Sequence, residues 1–334
     1  MSFPDRKIGI TTTVPVEVIF AAGAVPVDLN NIFITSPRRE EYVQKAELAG
    51  FPRNVCRWIK GIYGAALDNG IKEIIAVMQG DCSNTHALAE TLQIEGVRII
   101  PFSYPYDRNY DMLKREIEHL ADALGVVSWT DIVAWKRRLD EIRALAHKID
   151  EMTWRENKVS GRENHLYLVS TSDFEGDPNA FEKKLKNFIA EASQREPFPH
   201  KIRLAFVGVP PIFDDLYDVL ESYGARVVFN EVQRQFSMPF DTEDIVEQYL
   251  LYTYPYPVFH RIEDIKQQVA LRGIHGIIHY AETFCFRQIE DIIMRKNFEG
   301  MPYIMIEGGE SFKVDARTRM RLQSFVEMLK MRVK

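Results

Sequence analysis

This chain reads twice. "GIKEIIAVMQGDC" opens at Gly70 and "GIHGIIHYAETFC" at Gly273; in each, a branched run follows the glycine, and Cys82 or Cys285 stands twelve residues after it. Each half also opens with a short branched run, a proline-started helical stretch ending in a glycine (Gly23, Gly224) and a second short run. Proline at a helix start and glycine just past its end is the expected asymmetry. From that glycine to the one opening the cysteine stretch is 47 residues in the first half and 49 in the second. After the cysteines, "EGVRIIPF" and "EGMPYIMI" follow in turn. The correspondence implies an internal duplication.

Short branched runs alternating with amphipathic stretches are the pattern of parallel α/β layers. Strands are expected at 7–11, 24–29, 73–78 and 97–102, and again at 202–209, 225–230, 276–281 and 302–307. The fold class is therefore α/β, with two doubly wound parallel-sheet domains related by duplication and joined by a helical block. The expected domains are a first α/β domain over 1–128, a helical connector over 129–197 and a second α/β domain over 198–334. In the connector, "WTDIVAWKRRLDEIRALAHKIDEMTWREN" (129–157) reads as one long helix with a single packing stripe. Further helical patterns run to about residue 193, and "SQREPFPHK" (193–201) reads as a hinge.

At 334 residues the chain exceeds the size at which single cores stop growing. A net charge of −6 and no basic run argue against a nucleic-acid partner. No apolar stretch approaches the roughly 20 residues of a membrane span, and the N-terminus carries no apolar signal segment. Three widely spaced cysteines argue against a secreted disulfide framework, so a cytoplasmic location is expected.

Ligands of open parallel sheets bind beyond the carboxyl ends of the strands. Cys82 and Cys285 are expected there, each at a helix start, where the helix dipole favours a thiolate. Cys56 precedes or opens another helix, and its counterpart near "YPYPVFH" (254–260) has no cysteine. Two readings stand side by side: three small buried hydrophobes, or three thiolates converging on a soft metal centre. Zinc is disfavoured, because no close Cys-x-x-Cys knuckle is present.

Three segments carry a resemblance. "VPVEVIFAAGAVPVDL" (14–29) is similar to the opening signature of the D-component family of 2-hydroxyacyl-CoA dehydratases and benzoyl-CoA reductases. "HGIIHYAETFC" (275–285) resembles its third-cysteine segment, and "MPYIMIEGGESFKVDARTRMRLQSFVEML" (301–329) its closing stretch. The resemblance implies a 4Fe–4S cluster held by Cys56, Cys82 and Cys285, with one iron open to substrate. It also implies a homologous partner subunit in a homo- or heterodimer, and an ATP-dependent iron–sulfur activator that delivers one electron to an acyl-CoA-type substrate. The protein would then be a lyase of the 2-hydroxyacyl-CoA dehydratase type, working anaerobically. The alternatives are a benzoyl-CoA-reductase-like or double-cubane-like reductase subunit, or a non-catalytic, cluster-bearing or structural partner. The surroundings of Cys56 ("RNVCRW") and Cys82 ("GDCSNT") depart from the usual dehydratase segments, and a double cubane needs more thiolates than this chain has.

Glu282 is the candidate catalytic carboxylate, placed for acid–base work beside Cys285 or else capping the next helix. His279 relays a proton or simply packs, and His86, four residues after Cys82, faces the same side of its helix or is solvated. Glu307 and Glu310, in the glycine-rich "IEGGES" (306–311), are cleft candidates by position; this stretch lacks nucleotide-binding spacing. The tyrosine-rich loops "SYPYD" (103–107) and "YTYPYP" (252–257) line a pocket or stiffen their turns.

Overall fold

The computed structural model describes residues 6–309 and 311–333. The first half runs β1 (Lys7–Ile10), α1 (Val16–Ala21), β2 (Val25–Asp28), α2 (Leu29–Thr35), α3 (Arg39–Leu48) and α4 (Arg57–Asp68). It continues with β3 (Glu73–Gln79), α5 (Thr85–Ile94), β4 (Arg98–Ser103) and α6 (Tyr110–Leu124). The connecting block holds α7 (Trp129–Trp154), α8 (Gly161–Val169) and α9 (Pro178–Ser193). The second half follows with β5 (Ile202–Gly208), α10 (Leu216–Ser222), β6 (Ala225–Asn230), α11 (Glu231–Phe236), α12 (Ile245–Leu251) and α13 (Val258–Leu271). It ends with β7 (Gly276–Ala281), α14 (Arg287–Asn297), β8 (Tyr303–Glu307) and α15 (Ala316–Arg332).

All eight expected strands form, within two residues of their expected ends at each terminus. They make two four-stranded sheets, ordered β2-β1-β3-β4 and β6-β5-β7-β8. Every pairing is parallel, as in Gly9 opposite Ile74 and Phe206 opposite Ile278. The inner strands are near-continuous hydrophobic runs because helices cover both faces, so neither side needs polar alternation. In each sheet the chain first winds one way from the opening strand and then the other. This puts a topological switch between β1 and β3, and another between β5 and β7, at the carboxyl edge where such folds bind ligands.

The chain divides into two compact units, and the division does not follow sequence order. The first comprises residues 1–145, 169–184 and 236–257; the second comprises 146–168, 185–235 and 258–334. In the first unit, α4 and α5 lay Ile59, Ile62, Leu88 and Leu92 on Ile74 of β3. In the second, Ile262 and Ile265 of α13 and Met294 of α14 cover Val207 and Ile277.

Buried charges are paired inside each unit. In the first, Glu17 of α1 takes Arg143 Nη1 at 2.8 Å, the Tyr249 hydroxyl at 2.8 Å and the Gln248 amide at 3.0 Å. Burial alone would raise this carboxyl, but Arg143 and the hydrogen bonds outweigh it and hold Glu17 below its ordinary value. In the second, Arg272 grips Asp150 with Nη1 at 2.9 Å and Nη2 at 2.5 Å. Among the described residues, no helix is long and apolar enough to cross a membrane.

Candidate functional site

In the first unit the carboxyl edge of the sheet carries two cysteines. Cys56 is the residue before α4, and α4 leads back into β3, so its N-terminus lies where the strands end. Cys82 stands three residues past β3, in a turn closed by the Thr85 amide donating to its carbonyl at 3.0 Å. Cys56 is buried and Cys82 half-buried, and Cys82 packs with Val55 and Ile59 on one hydrophobic cluster. The strand-to-cysteine loop depends on Gly80, whose φ is +100°; an added Cβ would come within 2.9 Å of both Tyr104 Cβ and Pro255 Cβ. The loop is held at its far end by the His86 imidazole, 2.8 Å from the Met78 carbonyl. His86 is therefore an exposed clasp on its own loop.

Three buried polar atoms at this edge have no hydrogen-bond partner among the described residues: Thr13 Oγ1 past β1, Trp58 Nε1 in the first turn of α4, and Thr85 Oγ1 at the first residue of α5. Thr85 is 1% exposed. Neither α4 nor α5 has a side-chain cap at its N-terminus. Buried hydroxyl and indole donors are normally satisfied. Their concentration beside two thiols is what a site built around an acceptor-rich ligand looks like before that ligand is added.

The tyrosine loops both belong to this unit. Tyr104 and Tyr252 centre a cluster of rings, 6.0 Å apart, with Tyr256 5.8 Å from Tyr104 and Phe236 6.3 Å from Tyr252. All four rings are buried, which fits stiffening of the turns.

In the second unit, Cys285 stands four residues past β7 and just before α14, the same place in the plan. Its amide donates to the Glu282 carbonyl at 3.0 Å, closing a turn in which Phe284 takes a φ of +65°. Such a conformation in a bulky residue is strained and persists only where the surroundings impose it. The Glu282 side chain does not cap α14: it is 1% exposed and accepts the Tyr280 hydroxyl at 2.7 Å. Gly308 explains one glycine of "IEGGES", since an added Cβ would fall 2.0 Å from Glu282 Oε2 and 2.2 Å from Tyr280 Oη. Glu307 is exposed and takes the Gln288 amide at 2.7 Å. Glu310 lies outside the described residues.

His279 is buried on β7, with Nδ1 2.8 Å from Asp291 Oδ1. The Tyr303 hydroxyl also reaches Oδ1 at 2.6 Å, and Arg295 Nε reaches Oδ2 at 2.5 Å. Burial would raise Asp291, but these three hydrogen bonds prevail and hold it well below the usual carboxylate range. An ionised Asp291 fixes His279 with its Nδ1 proton inward, and leaves Nε2 buried with no hydrogen-bond partner among the described residues. Close by in sequence, Arg261 of α13 holds Glu231 through Nε at 2.7 Å and Nη2 at 2.8 Å, and Glu290 through Nη1 at 2.9 Å. Glu231 in turn accepts the Gly208 amide at 2.9 Å.

Among the described residues, no three His, Cys, Asp or Glu side chains form a group able to hold a metal. Within the first unit, however, the chemistry at the sheet edge fits a sulfur-bridged cluster: two soft thiols, helix N-termini that favour negative charge, and buried donors with nothing yet to donate to. Sequence reasoning singled out the cysteines and Glu282 by residue type and position. It missed Thr85, Trp58, Thr13, Asp291, Arg261 and Glu231, whose significance lies in partners or in the lack of them.

The sequence profile described as 2-hydroxyglutaryl-CoA dehydratase, D-component, matches residues 11–329, nearly the whole chain. No protein with a curated description matches it.

Proposed function

Because the chain belongs to the 2-hydroxyglutaryl-CoA dehydratase D-component family, we propose that it is an iron–sulfur subunit acting on a CoA thioester of a 2-hydroxy acid. Cys56, Cys82 and Cys285 would hold a 4Fe–4S cluster. The observation that carries this reading is the repeated placement of Cys82 and Cys285, each just beyond the third strand of its unit and at a topological switch. Held by three thiolates, such a cluster supplies a Lewis-acidic iron with a vacant corner and a low-potential one-electron couple.

The chain's own residues supply the rest. The N-termini of α4 and α5 would offer positive dipole ends to an anionic centre held by Cys56 and Cys82, and Gly80 lets the Cys82 loop run flush against Tyr104 and Pro255. Glu282, kept out of bulk water and fixed by Tyr280, is the group we assign to proton transfer. The chain has no nucleotide fingerprint, so the electron would come from an ATP-hydrolysing iron–sulfur activator, and a homologous subunit would complete the enzyme.

The test is anaerobic purification with iron and acid-labile sulfide analysis, followed by turnover of 2-hydroxyacyl-CoA with activator and reductant. Iron and sulfide with turnover support the reading. Iron and sulfide without turnover, in every subunit pairing, reduce the protein to a cluster-bearing partner; absence of both removes the reading.

A further inference from the structure

We propose that Thr85 and Trp58 are positioning residues that donate hydrogen bonds to the sulfurs of the centre at Cys82 and Cys56, and so raise its reduction potential. The inference rests on the cluster reading above and deepens it. Thr85 is the first residue of α5 and Trp58 the second of α4. Along an α-helix every Cα–Cβ bond tilts toward the N-terminus. Both side chains therefore lean back toward the cysteine that precedes their helix, three residues before Thr85 and two before Trp58.

Each offers one donor, and each donor is buried with no partner among the described residues. A threonine at a helix start ordinarily turns its hydroxyl onto a backbone amide of the first turn, or leaves it in water. Thr85 does neither, and its amide already closes the Cys82 turn at 3.0 Å. Trp58 is held edge-on against Phe33, ring centroids 5.5 Å apart, which fixes the indole without using its N–H. A buried donor with no acceptor is costly to keep; bound sulfur is the acceptor that would justify both. Hydrogen bonds to cluster sulfurs stabilise the more negative, reduced state.

The experiment is a redox titration, followed by EPR, of anaerobically prepared wild type, Thr85→Val, Thr85→Ser and Trp58→Phe, with iron and sulfide measured on each. At a fixed potential, the reduced-to-oxidised ratio should fall about threefold to tenfold in Thr85→Val, and in the same direction in Trp58→Phe. Tenfold corresponds to 59 mV for one electron. Thr85→Ser, which keeps the hydroxyl, should stay at the wild-type ratio. The metal-free Thr85→Val protein should unfold at a denaturant concentration no lower than wild type, because no folded-state hydrogen bond is lost. Full clusters with an unchanged ratio in both variants overturn the inference and leave the cluster reading standing. Wild type without iron and sulfide overturns both. If Thr85→Val loses the cluster altogether, a loaded Thr85→Ser supports the hydroxyl's role and an empty one overturns it.

Discussion

The two cysteine loops start from one plan and end in different chemistry. Both follow the third strand of a sheet with the same strand order, and both lead into a helix. Three residues before Cys82 stands Gln79, exposed; three residues before Cys285 stands Glu282, buried on the Tyr280 hydroxyl. The fourth residue of α4 is Lys60, tied to the half-exposed Glu47; the fourth of α13 is Arg261, wholly buried between Glu231 and Glu290. Where Cys56 precedes α4, Pro257 precedes α13. Besides its cysteine, the first loop has buried donors without acceptors near it, the second a buried carboxylate and a dense ionic lattice. Duplication preserved the scaffold, and the side chains around the two loops diverged.

The sharpest way to break this comparison is to remove a thiol. Cys82→Ser should abolish iron retention and brown absorbance on anaerobic purification; a fully coloured variant would end the assignment. Glu282→Gln should keep its iron and lose turnover by about 10²–10⁴-fold, the usual worth of a positioned acid–base group. Arg261→Met strands Glu231 inside the protein and should cost roughly 3–5 kcal/mol in urea unfolding. Lys60→Met, whose partner is accessible to water, should cost about 1 kcal/mol or less.

Acid response should separate two buried carboxylates, Asp173 and Asp291, as well. In the first unit, the Asp28 amide donates to Asp173 at 2.8 Å and the Ser172 hydroxyl to Asp28 at 2.6 Å. Burial, and then the Asp28 carboxylate, push Asp173 up to about 7 from its ordinary 3.8. The folded state thus binds this proton more tightly than the unfolded chain, so its stabilisation is full below about pH 4 and is lost as pH rises through about 7. Calorimetry between those limits should show a loss on the order of 2 kcal/mol, flattened in Asp173→Asn. Asp291 in the second unit is shifted the other way; what it contributes is present above the ordinary carboxylate range and lost only in stronger acid, so Asp291→Asn should leave the response in this window unchanged. Gln79→Ala should change stability by no more than about 0.5 kcal/mol and leave turnover intact, whereas the same scan at position 282 should not be silent.

The strands were legible because burial on both faces leaves a continuous branched signature, and the duplication let each half check the other. Cys82, Cys285 and Glu282 were legible as residue types at strand ends, and Cys56 as a thiol at a helix start. Arg261 and Glu231 were not: they are thirty residues apart, and a helical arginine looks solvated until its carboxylate is placed. Thr85 was hidden for another reason, because an unpaired hydroxyl leaves no mark on composition or spacing. His86 is exposed, in keeping with its solvated reading, and its contact with the Met78 carbonyl has no signature in the spacing.

The tight passage at Gly80 has a consequence for synthesis. Its loop is walled on one side by Pro255, a residue that leaves the ribosome long after β1 to β4 have been made. The first-encoded unit therefore cannot finish its own interior on a short nascent chain. Most of the polypeptide must emerge before the loop bearing Cys82 has both walls, so the earliest part of the message is among the last to reach its final shape.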